Sequence, residues 1–301
     1  MKRAIVGSGY LVLSLLGTCF NLSTLSVLPE CERSLTRPLL IFFSIQLFIG
    51  IGTLLTVAIP VPYMIATDRS YFVNPLLIGA PGVLICLTLL SSYLIQFCIC
   101  IYRNIRVVFN KFSETLFTDI VVKLLIVFAS LLAVHISVII TRTTTIRRFS
   151  LHLLAWEQTD AEYITMLSVV VYSSMVGAMF YAFSIFDLLY QHIYDQEKHE
   201  TIETTPKTLL FYQILHLICD AIFCLLIVLP RFEYFSKRPN LIIAHSFLNI
   251  FGSAIWPAIS LIVYSEKVRN ELCFRTILML KMCSSPDNIQ DRTRCNRMRS
   301  A

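Results

Sequence analysis

This sequence has few charged residues. Asp, Glu, Lys and Arg together make up 15% of the 301 residues, against 56% for the hydrophobic types. A soluble domain carries about 25% charged residues, so this composition excludes an ordinary soluble globular protein. The shortage of charge instead predicts a protein with several membrane-spanning segments.

The signatures of common enzymes are also absent. The sequence has no H-E-x-x-H, no paired aspartates in facing spans, no Ser/His pair at useful spacing and no phosphate-holding glycine loop. The ten cysteines lack the paired spacing and the histidines of a zinc site, and most lie inside apolar runs. We therefore expect no catalysis, no metal and no other cofactor.

Long apolar runs are what the sequence has in abundance. Each is long enough to cross the hydrocarbon core as a helix, which takes roughly 20 residues. The prediction is an all-α membrane protein with a seven-transmembrane helix bundle over residues 1–264 and a basic tail over 265–301. The spans are expected at about residues 4–28, 39–67, 75–102, 120–141, 164–194, 209–230 and 241–264. Pro60 and Pro62 predict a kink or a helix exit near the end of the second span.

The tail gives the clearest information on orientation. From Ser265 onward it holds eight basic and four acidic residues, which favours a cytoplasmic position beside anionic lipid. The loop charges alone slightly oppose an N-terminus outside and a C-terminus in the cytoplasm, and only the tail favours it. A basic tail can also indicate nucleic-acid binding, but one that follows membrane spans does not favour that partner.

Four short patterns then become informative. Gly17-x-x-x-Asn21 lies in the first span, where Gly17 would allow close helix packing and Asn21 an interhelical hydrogen bond. Tyr102-Arg103-Asn104 ends the third span. Trp256-Pro257-Ala-Ile-Ser260 lies in the last span, and Tyr264-Ser-Glu-Lys-Val-Arg269 follows it. With these patterns the sequence resembles the divergent rhodopsin-like seven-helix receptors, and more closely the nematode serpentine chemoreceptors. The last pattern resembles the start of their eighth helix, which implies a short amphipathic helix after the last span.

The sequence also departs from the patterns of those receptors. Trp256 and Ser260 replace the asparagine and tyrosine of their last-helix motif, and Gln46 stands near the place of an acid in the second helix. The cysteines of their outer disulfide are missing. These departures fit a fast-diverging chemoreceptor better than an amine or peptide receptor.

The resemblance implies a G-protein-coupled chemoreceptor that detects a small extracellular molecule and signals through a heterotrimeric G protein. It implies the plasma membrane, with sensory cilia as one location, and a role in sensory perception such as olfaction. Arg103, Asn104 and Arg106 would couple to the G protein, and Pro257 and Tyr264 would form a structural switch. The plainer interpretation of Arg103 and Arg106 is that they are charges that mark the membrane interface.

Asp220 is the most unusual residue inside a predicted span. It lies midway along the sixth, where an unpaired carboxylate is costly, so it should face the bundle interior with a partner. It could join His216, one turn earlier, in a ligand pocket or a switch, or make a structural contact with Asn249. The residues expected to line the ligand pocket are Leu87, Ser91, Tyr172, Asp220, His245 and Asn249.

A transporter or ion channel is the second function that the residues allow. Asp220, His216, His135 and His245 could form a proton or ion path through the membrane. The count of seven spans and the lack of paired, Gly/Pro-broken helices favour the receptor.

Overall fold

The protein is seen here as a computed structural model. It describes residues 2–31, 36–67, 75–109, 115–143, 148–157, 160–194 and 238–284, together with positions 113, 218, 222 and 225.

The described chain is almost entirely helical, as the sequence predicts. Its helices are α1 (Lys2–Val27), α2 (Arg37–Ala58), α3 (Pro60–Thr67), α4 (Pro75–Val108), α5 (Asp119–Thr143), α6 (Asp160–Tyr194), α7 (Pro239–Ile250), α8 (Trp256–Tyr264) and α9 (Glu266–Ser284). A short 3₁₀ helix, Leu28–Cys31, follows α1, and a π-helical turn, Phe251–Ile255, joins α7 to α8. Two short strands, β1 (Arg148–Ser150) and β2 (Ala155–Glu157), form an antiparallel hairpin that the sequence did not predict.

Five segments of the described chain are long and apolar enough to cross a membrane. They correspond to the first, second, third, fourth and seventh predicted spans and cover Arg3–Cys31, Arg37–Thr67, Ala80–Arg106, Asp119–Ile140 and Pro239–Val263. The fifth predicted span is the single helix α6, with Met175–Asp187 as a shorter apolar stretch within it. The sixth, residues 209–230, lies outside the described residues except for three positions. An integral membrane protein with several helical spans is thus confirmed.

Large apolar side chains remain exposed on the outer faces of these helices. Leu16 of α1, Ile120 and Phe128 of α5, and Phe186 of α6 are all more than half exposed. Large apolar side chains exposed on several long apolar helices are expected where helices contact membrane lipid.

Proline sets two of the helix breaks, through the N–H that it lacks. The second span divides at Ile59, directly before Pro60, and resumes as α3, which confirms the predicted kink. The last span divides in the π turn shortly before Pro257. Breaks of this type place backbone carbonyls where side chains of neighbouring helices can reach them.

The two ends of the bundle are distinguished by the hairpin and by α9. At the hairpin end, the Tyr10 hydroxyl of α1 donates a hydrogen bond of 3.4 Å to the Leu154 carbonyl. At the tail end, Arg275 of α9 donates to the Ser26 carbonyl of α1 at 3.2 Å. Since α1 therefore runs from the hairpin end to the tail end, the directions of the other helices follow from their contacts with it.

Aromatic rings cover the hairpin end. Tyr10 stacks on Phe247 of α7 with 4.2 Å between ring centroids, and Phe149 of β1 meets both Tyr10 and Trp156 edge to face. Phe149 and Trp156 are directly paired across the hairpin, and Leu154 in its turn has a positive φ of 54°. The hairpin is therefore fixed to the bundle by buried rings and not by its two strands alone.

A second buried cluster lies at the tail end and includes the start of α9. Val268 of α9 is fully buried with Val27, Phe42, Tyr102 and other apolar residues of the first three spans. The sequence predicted a short helix after the last span, and α9 is that helix. Its first turns pack on the bundle through this apolar contact.

The ion pair between α9 and the 3₁₀ helix should add little to stability. Arg275 pairs with Glu30 and also donates to the Ser26 hydroxyl at 3.1 Å, but both charged side chains are about a quarter to two fifths exposed. In a double-mutant cycle of Glu30→Gln and Arg275→Gln, we expect a coupling energy of at most about 1 kcal/mol, because exposed pairs are screened by solvent. Thermal unfolding in detergent would measure it, with exposed Arg269→Gln as control. A coupling several times larger would contradict this expectation.

Candidate functional site

Two glycines bring three helices into close contact inside the bundle. A Cβ on Gly50 of α2 would lie 2.5 Å from the Ala254 carbonyl oxygen and 2.8 Å from Asn21 Nδ2. A Cβ on Gly17 of α1 would lie 2.7 Å from Ile255 Cδ1. Small residues let backbones approach in this way, and the close packing predicted for Gly17 is confirmed.

Asn21 connects the first span to the break in the last one. Its Nδ2 donates a hydrogen bond of 2.8 Å to the Ala254 carbonyl, and the residue is fully buried. The acceptor lies in the π turn, at a point where the helix is irregular. The interhelical hydrogen bond predicted for Asn21 is therefore present.

Pro257 explains why a second carbonyl in the π turn takes a bond from another helix. In a regular helix the residue at position 257 would donate its N–H to the Ser253 carbonyl, four residues earlier, but proline has none. The Ser92 hydroxyl of α4 donates to that carbonyl at 3.1 Å. Asn21 and Ser92 thus hold the π turn from two sides, and we call this group of Asn21, Gly50, Ser92 and the π turn the junction.

Four of the residues predicted to contact a ligand lie within a few residues of the junction in the sequence. Ser91 is buried at the position before Ser92, and Leu87 is half-buried against the apolar cluster near the hairpin end. On α7, His245 and Asn249 are buried one turn apart, and the Asn249 carbonyl accepts from Ser253 Oγ at 2.8 Å. The fold therefore buries Ser91, His245 and Asn249 in the bundle and half-buries Leu87.

Tyr172, another predicted ligand residue, does not join this group. Tyr172 is 71% exposed on the outer face of α6, so the prediction that it faces a pocket inside the bundle is wrong. In an apolar helix the sequence does not distinguish the face that meets lipid from the face that meets other helices. Asp220 and His216 lie outside the described residues.

Gln46, near the place where the resembling receptors have an acid in the second helix, forms a hydrogen bond between neutral side chains. It is almost fully buried in α2, and its Nε2 donates to Gln96 Oε1 of α4 at 2.9 Å. Gln96 lies one turn beyond Ser92, so the polar contacts of α4 continue from the junction toward the tail end.

Arg103 lies inside the bundle and not at a water-exposed edge. It is 8% exposed, and its guanidinium carbon is 5.5 Å from the centroid of the Phe43 ring of α2. A desolvated cation over an aromatic face gains more than an exposed one. Burial of this degree does not fit a charge that only marks the membrane interface.

Asn104 connects α4 to α6. Its Nδ2 donates to the Cys100 carbonyl at 2.7 Å, and its Oδ1 accepts from the Ser184 hydroxyl of α6. Because Asn104 is only 2% exposed, the side chain that was predicted to couple to a partner is here an interhelical contact.

Arg106 and Tyr102 share one acceptor at the start of α2. Arg106 Nη1 donates to Thr36 Oγ1 at 3.0 Å, and the Tyr102 hydroxyl donates to the same oxygen at 2.8 Å. Next to it, Arg37 pairs with Asp119 of α5 at 3.0 Å. The ends of the second, third and fourth spans are thus joined at the tail end.

Thr36→Val should loosen this joint at nearly constant volume. The substitution leaves the donors of Tyr102 and Arg106 without their shared acceptor, and we expect a loss of about 1–2 kcal/mol in the free energy of unfolding. Thr276→Val is a matched control, because the exposed Thr276 hydroxyl donates to the Leu272 carbonyl within its own helix and joins no second helix among the described residues. Equal unfolding temperatures for the two variants would contradict the role of Thr36.

The two residues predicted to form a structural switch, Pro257 and Tyr264, lie in the first and last turns of α8. Pro257 is buried in the first turn of α8, and Tyr264 is the last residue of that helix, with a side chain outside what the structure describes.

Sequence reasoning missed Gly50, Thr36 and Ser184. Gly50 could have been found as a small residue inside an apolar run. Thr36 could have been found as a threonine directly before a helix that starts with Arg37-Pro38. No local signal marks Ser184.

Within the ranges described, no group of three or more His, Cys, Asp and Glu side chains could hold a metal ion. Comparison of the sequence with known protein families and with curated proteins finds no match.

Proposed function

We propose that the protein is a seven-span, G-protein-coupled chemoreceptor similar to the nematode serpentine receptors. One observation carries the proposal. The motif positions of that resemblance, Asn21 of the first span, Arg103 of the third and Pro257 of the last, are all buried inside one helix bundle. Asn21 bonds to the very turn that precedes Pro257.

The directions of the helices support a count of seven. α6 begins three residues after the end of β2, at the hairpin end, and α7 also contacts β2. α6 contacts the tail-end part of α4 through Ser184 and Asn104, and α8 leads into α9 at the tail end. Since both spans run from the hairpin end to the tail end, a seven-span chain needs one further span between Tyr194 and Arg238 to return to the hairpin end. The apolar run at residues 209–230 is long enough to do so.

In this proposal the hairpin end is extracellular and the tail end cytoplasmic, in the plasma membrane. A small ligand binds among Leu87, Ser91, His245 and Asn249, together with Asp220 of the sixth span. It favours one of two arrangements of the bundle through its higher affinity for that arrangement.

The junction is where such a change can pass from the ligand to the tail end. The π turn is an irregular segment held by two side-chain bonds, from Asn21 and Ser92, and it lies between Asn249 and Pro257. Arg103 and Asn104 are buried in the described arrangement, so contact with a G protein requires movement of the helices around them. In the active state, these two residues would be released from the interior of the bundle.

A topology map tests the first step of the proposal. A tag at the N-terminus should be labelled from the outside of intact cells. A tag between residues 195 and 208 should be accessible only from the cytoplasm. Cytoplasmic labelling of the N-terminus would overturn the receptor proposal. Second-messenger changes evoked by a panel of small volatile and water-soluble compounds would then support it, whereas ligand-evoked current without them would favour a channel.

A further inference from the structure

The hairpin turns one tryptophan toward the interior of the bundle. Phe149 and Trp156 are directly paired across β1 and β2, so their side chains lie on the same face of the hairpin. Phe149 meets Tyr10 of α1 edge to face, which places that face against the bundle. Trp156 is 8% exposed, and its ring centroid lies 5.5 Å from that of Phe149. The indole of Trp156 therefore lies inside the protein and not on its outer surface.

The indole N–H of Trp156 is buried without a partner. Nε1 can only donate, and it meets no hydrogen-bond acceptor within the described part of the chain. The Tyr10 hydroxyl at the same end of the bundle already donates to the Leu154 carbonyl at 3.4 Å. A donor that is buried unpaired costs free energy, so the N–H of Trp156 needs an acceptor from outside the protein.

The surroundings of Trp156 favour an acceptor that is part of an apolar molecule. The side chains that pack with it in one buried cluster include Leu87, Leu89 and Phe149. A buried water is held by roughly two to four polar partners, which these side chains do not offer. A carbonyl oxygen on an apolar molecule needs only the one donor, because the rest of the molecule contacts apolar side chains.

Charge and position define the ligand further. Of all Asp, Glu, Lys and Arg side chains that the structure describes, only Arg103 is buried, and it lies at the tail end. Among the described residues, an ionised ligand would therefore find no buried counter-charge beside Trp156. β1 contacts α4 and β2 contacts α7, the two helices that carry the described residues of the proposed ligand pocket. The hairpin thus lies against that pocket.

We propose that Trp156 binds the ligand, and that the ligand is an uncharged carbonyl compound such as a ketone. The N–H of Trp156 donates to its carbonyl oxygen, and its apolar body lies between the hairpin, α4 and α7. This inference rests on the proposed function, because it names the ligand class of the same pocket. A molecule of equal shape without the oxygen leaves the N–H unpaired and binds more weakly.

Nuclear magnetic resonance of the full-length protein in lipid nanodiscs tests the contact directly. Trp156 and Trp256 are the two tryptophans of the chain, so ¹⁵N-labelled tryptophan gives two indole signals, and Trp256→Phe assigns them. The probes are straight-chain and cyclic ketones, each compared with the alkene in which a methylene group replaces the carbonyl oxygen. A ketone should bind saturably, move the N–H signal of Trp156 downfield and bind at least about tenfold more tightly than its alkene.

A matched pair of variants tests the donor. Trp156→Phe keeps an aromatic ring in the cluster but has no N–H, so ketone and alkene should bind with equal affinity. Trp256→Phe should keep the tenfold preference for the ketone. The signal of the wild-type protein decides the question even if Trp156→Phe does not fold.

The outcomes separate this inference from the receptor proposal. Equal affinity of the wild-type protein for ketone and alkene, or no ketone that binds, would overturn the inference. A Trp156 signal that is downfield before any ketone is added would identify a bound water as the acceptor and overturn it too. Second-messenger responses to ketones without a change at Trp156 would overturn the inference and leave the receptor proposal standing. A ketone-induced change without any response would support the site and count against the receptor.

Discussion

Gly50→Ala is expected to destabilise the protein more than any other single-methyl change in the described helices. The added Cβ would lie 2.5 Å from a backbone oxygen, that of Ala254, and backbone cannot move aside as a flexible side chain can. It would also lie 2.8 Å from Asn21 Nδ2, the donor to the same oxygen. Overpacking costs about 1–3 kcal/mol, and loss of the Asn21 bond adds about 1 kcal/mol.

Two further glycines make this a graded series. At Gly17 the added Cβ would meet only side-chain ends, Ile255 Cδ1 at 2.7 Å and Leu54 Cδ1 at 2.9 Å, so Gly17→Ala should cost less. At Gly52 the nearest atom, Thr88 Cγ2, is 4.0 Å away, and alanine there should be neutral or stabilise the helix by up to about 1 kcal/mol. Unfolding temperatures in one detergent would rank the three. An unfolding temperature for Gly50→Ala as high as that for Gly52→Ala would show that α2 does not meet the last span at this point.

Arg103→Ala is expected to abolish signalling while the protein still reaches the cell surface. This prediction rests on the proposed function, in which release of Arg103 from the bundle forms the G-protein contact. The guanidinium is held over Phe43 at 5.5 Å and is 8% exposed, so its removal takes away both the held and the released interaction. The measurement is ligand-evoked second messenger per receptor counted at the surface.

Two controls separate signalling from folding. Arg106→Ala removes a neighbouring cation that contacts Thr36 and that the resemblance also assigns to G-protein coupling, so it should reduce stability and weaken the response without abolishing it. Arg269→Ala removes an exposed cation of α9 and should leave both unchanged. Full signalling by Arg103→Ala would exclude the proposed role, and loss of surface protein would instead assign the residue to folding.

The positions of the spans were predictable because the signal for them is local. An apolar run of sufficient length has to satisfy its backbone hydrogen bonds within itself in lipid, so it forms a helix wherever it occurs. The break at Pro60 and the irregular turn before Pro257 were accessible for the same reason, because proline lacks its N–H in every context. The buried amide of Asn21 in an apolar run also had to find an acceptor nearby.

The candidate site was predictable only in part, because its members are defined by which way each helix turns. Ser91 and Ser92 have equivalent sequence surroundings, yet only Ser92 is seen to bond to the Ser253 carbonyl. Tyr172 has the same apolar surroundings as buried residues of α6 but faces outward. Arg103 looks from the sequence like a charge at a water interface, and packing against α2 decides that it is buried.

The sequence by itself determined that this is a helical membrane protein, where most of its spans lie and where prolines break them. These features depend on chain segments of about 20 residues and on the chemistry of single residues. Only the tertiary structure decided that Gly50 meets the Ala254 carbonyl, that Asn104 joins α4 to α6 and that the hairpin buries Trp156. The reason is physical: helices that are apolar on all sides carry no strong preference for one face, so contacts between distant segments set their rotation.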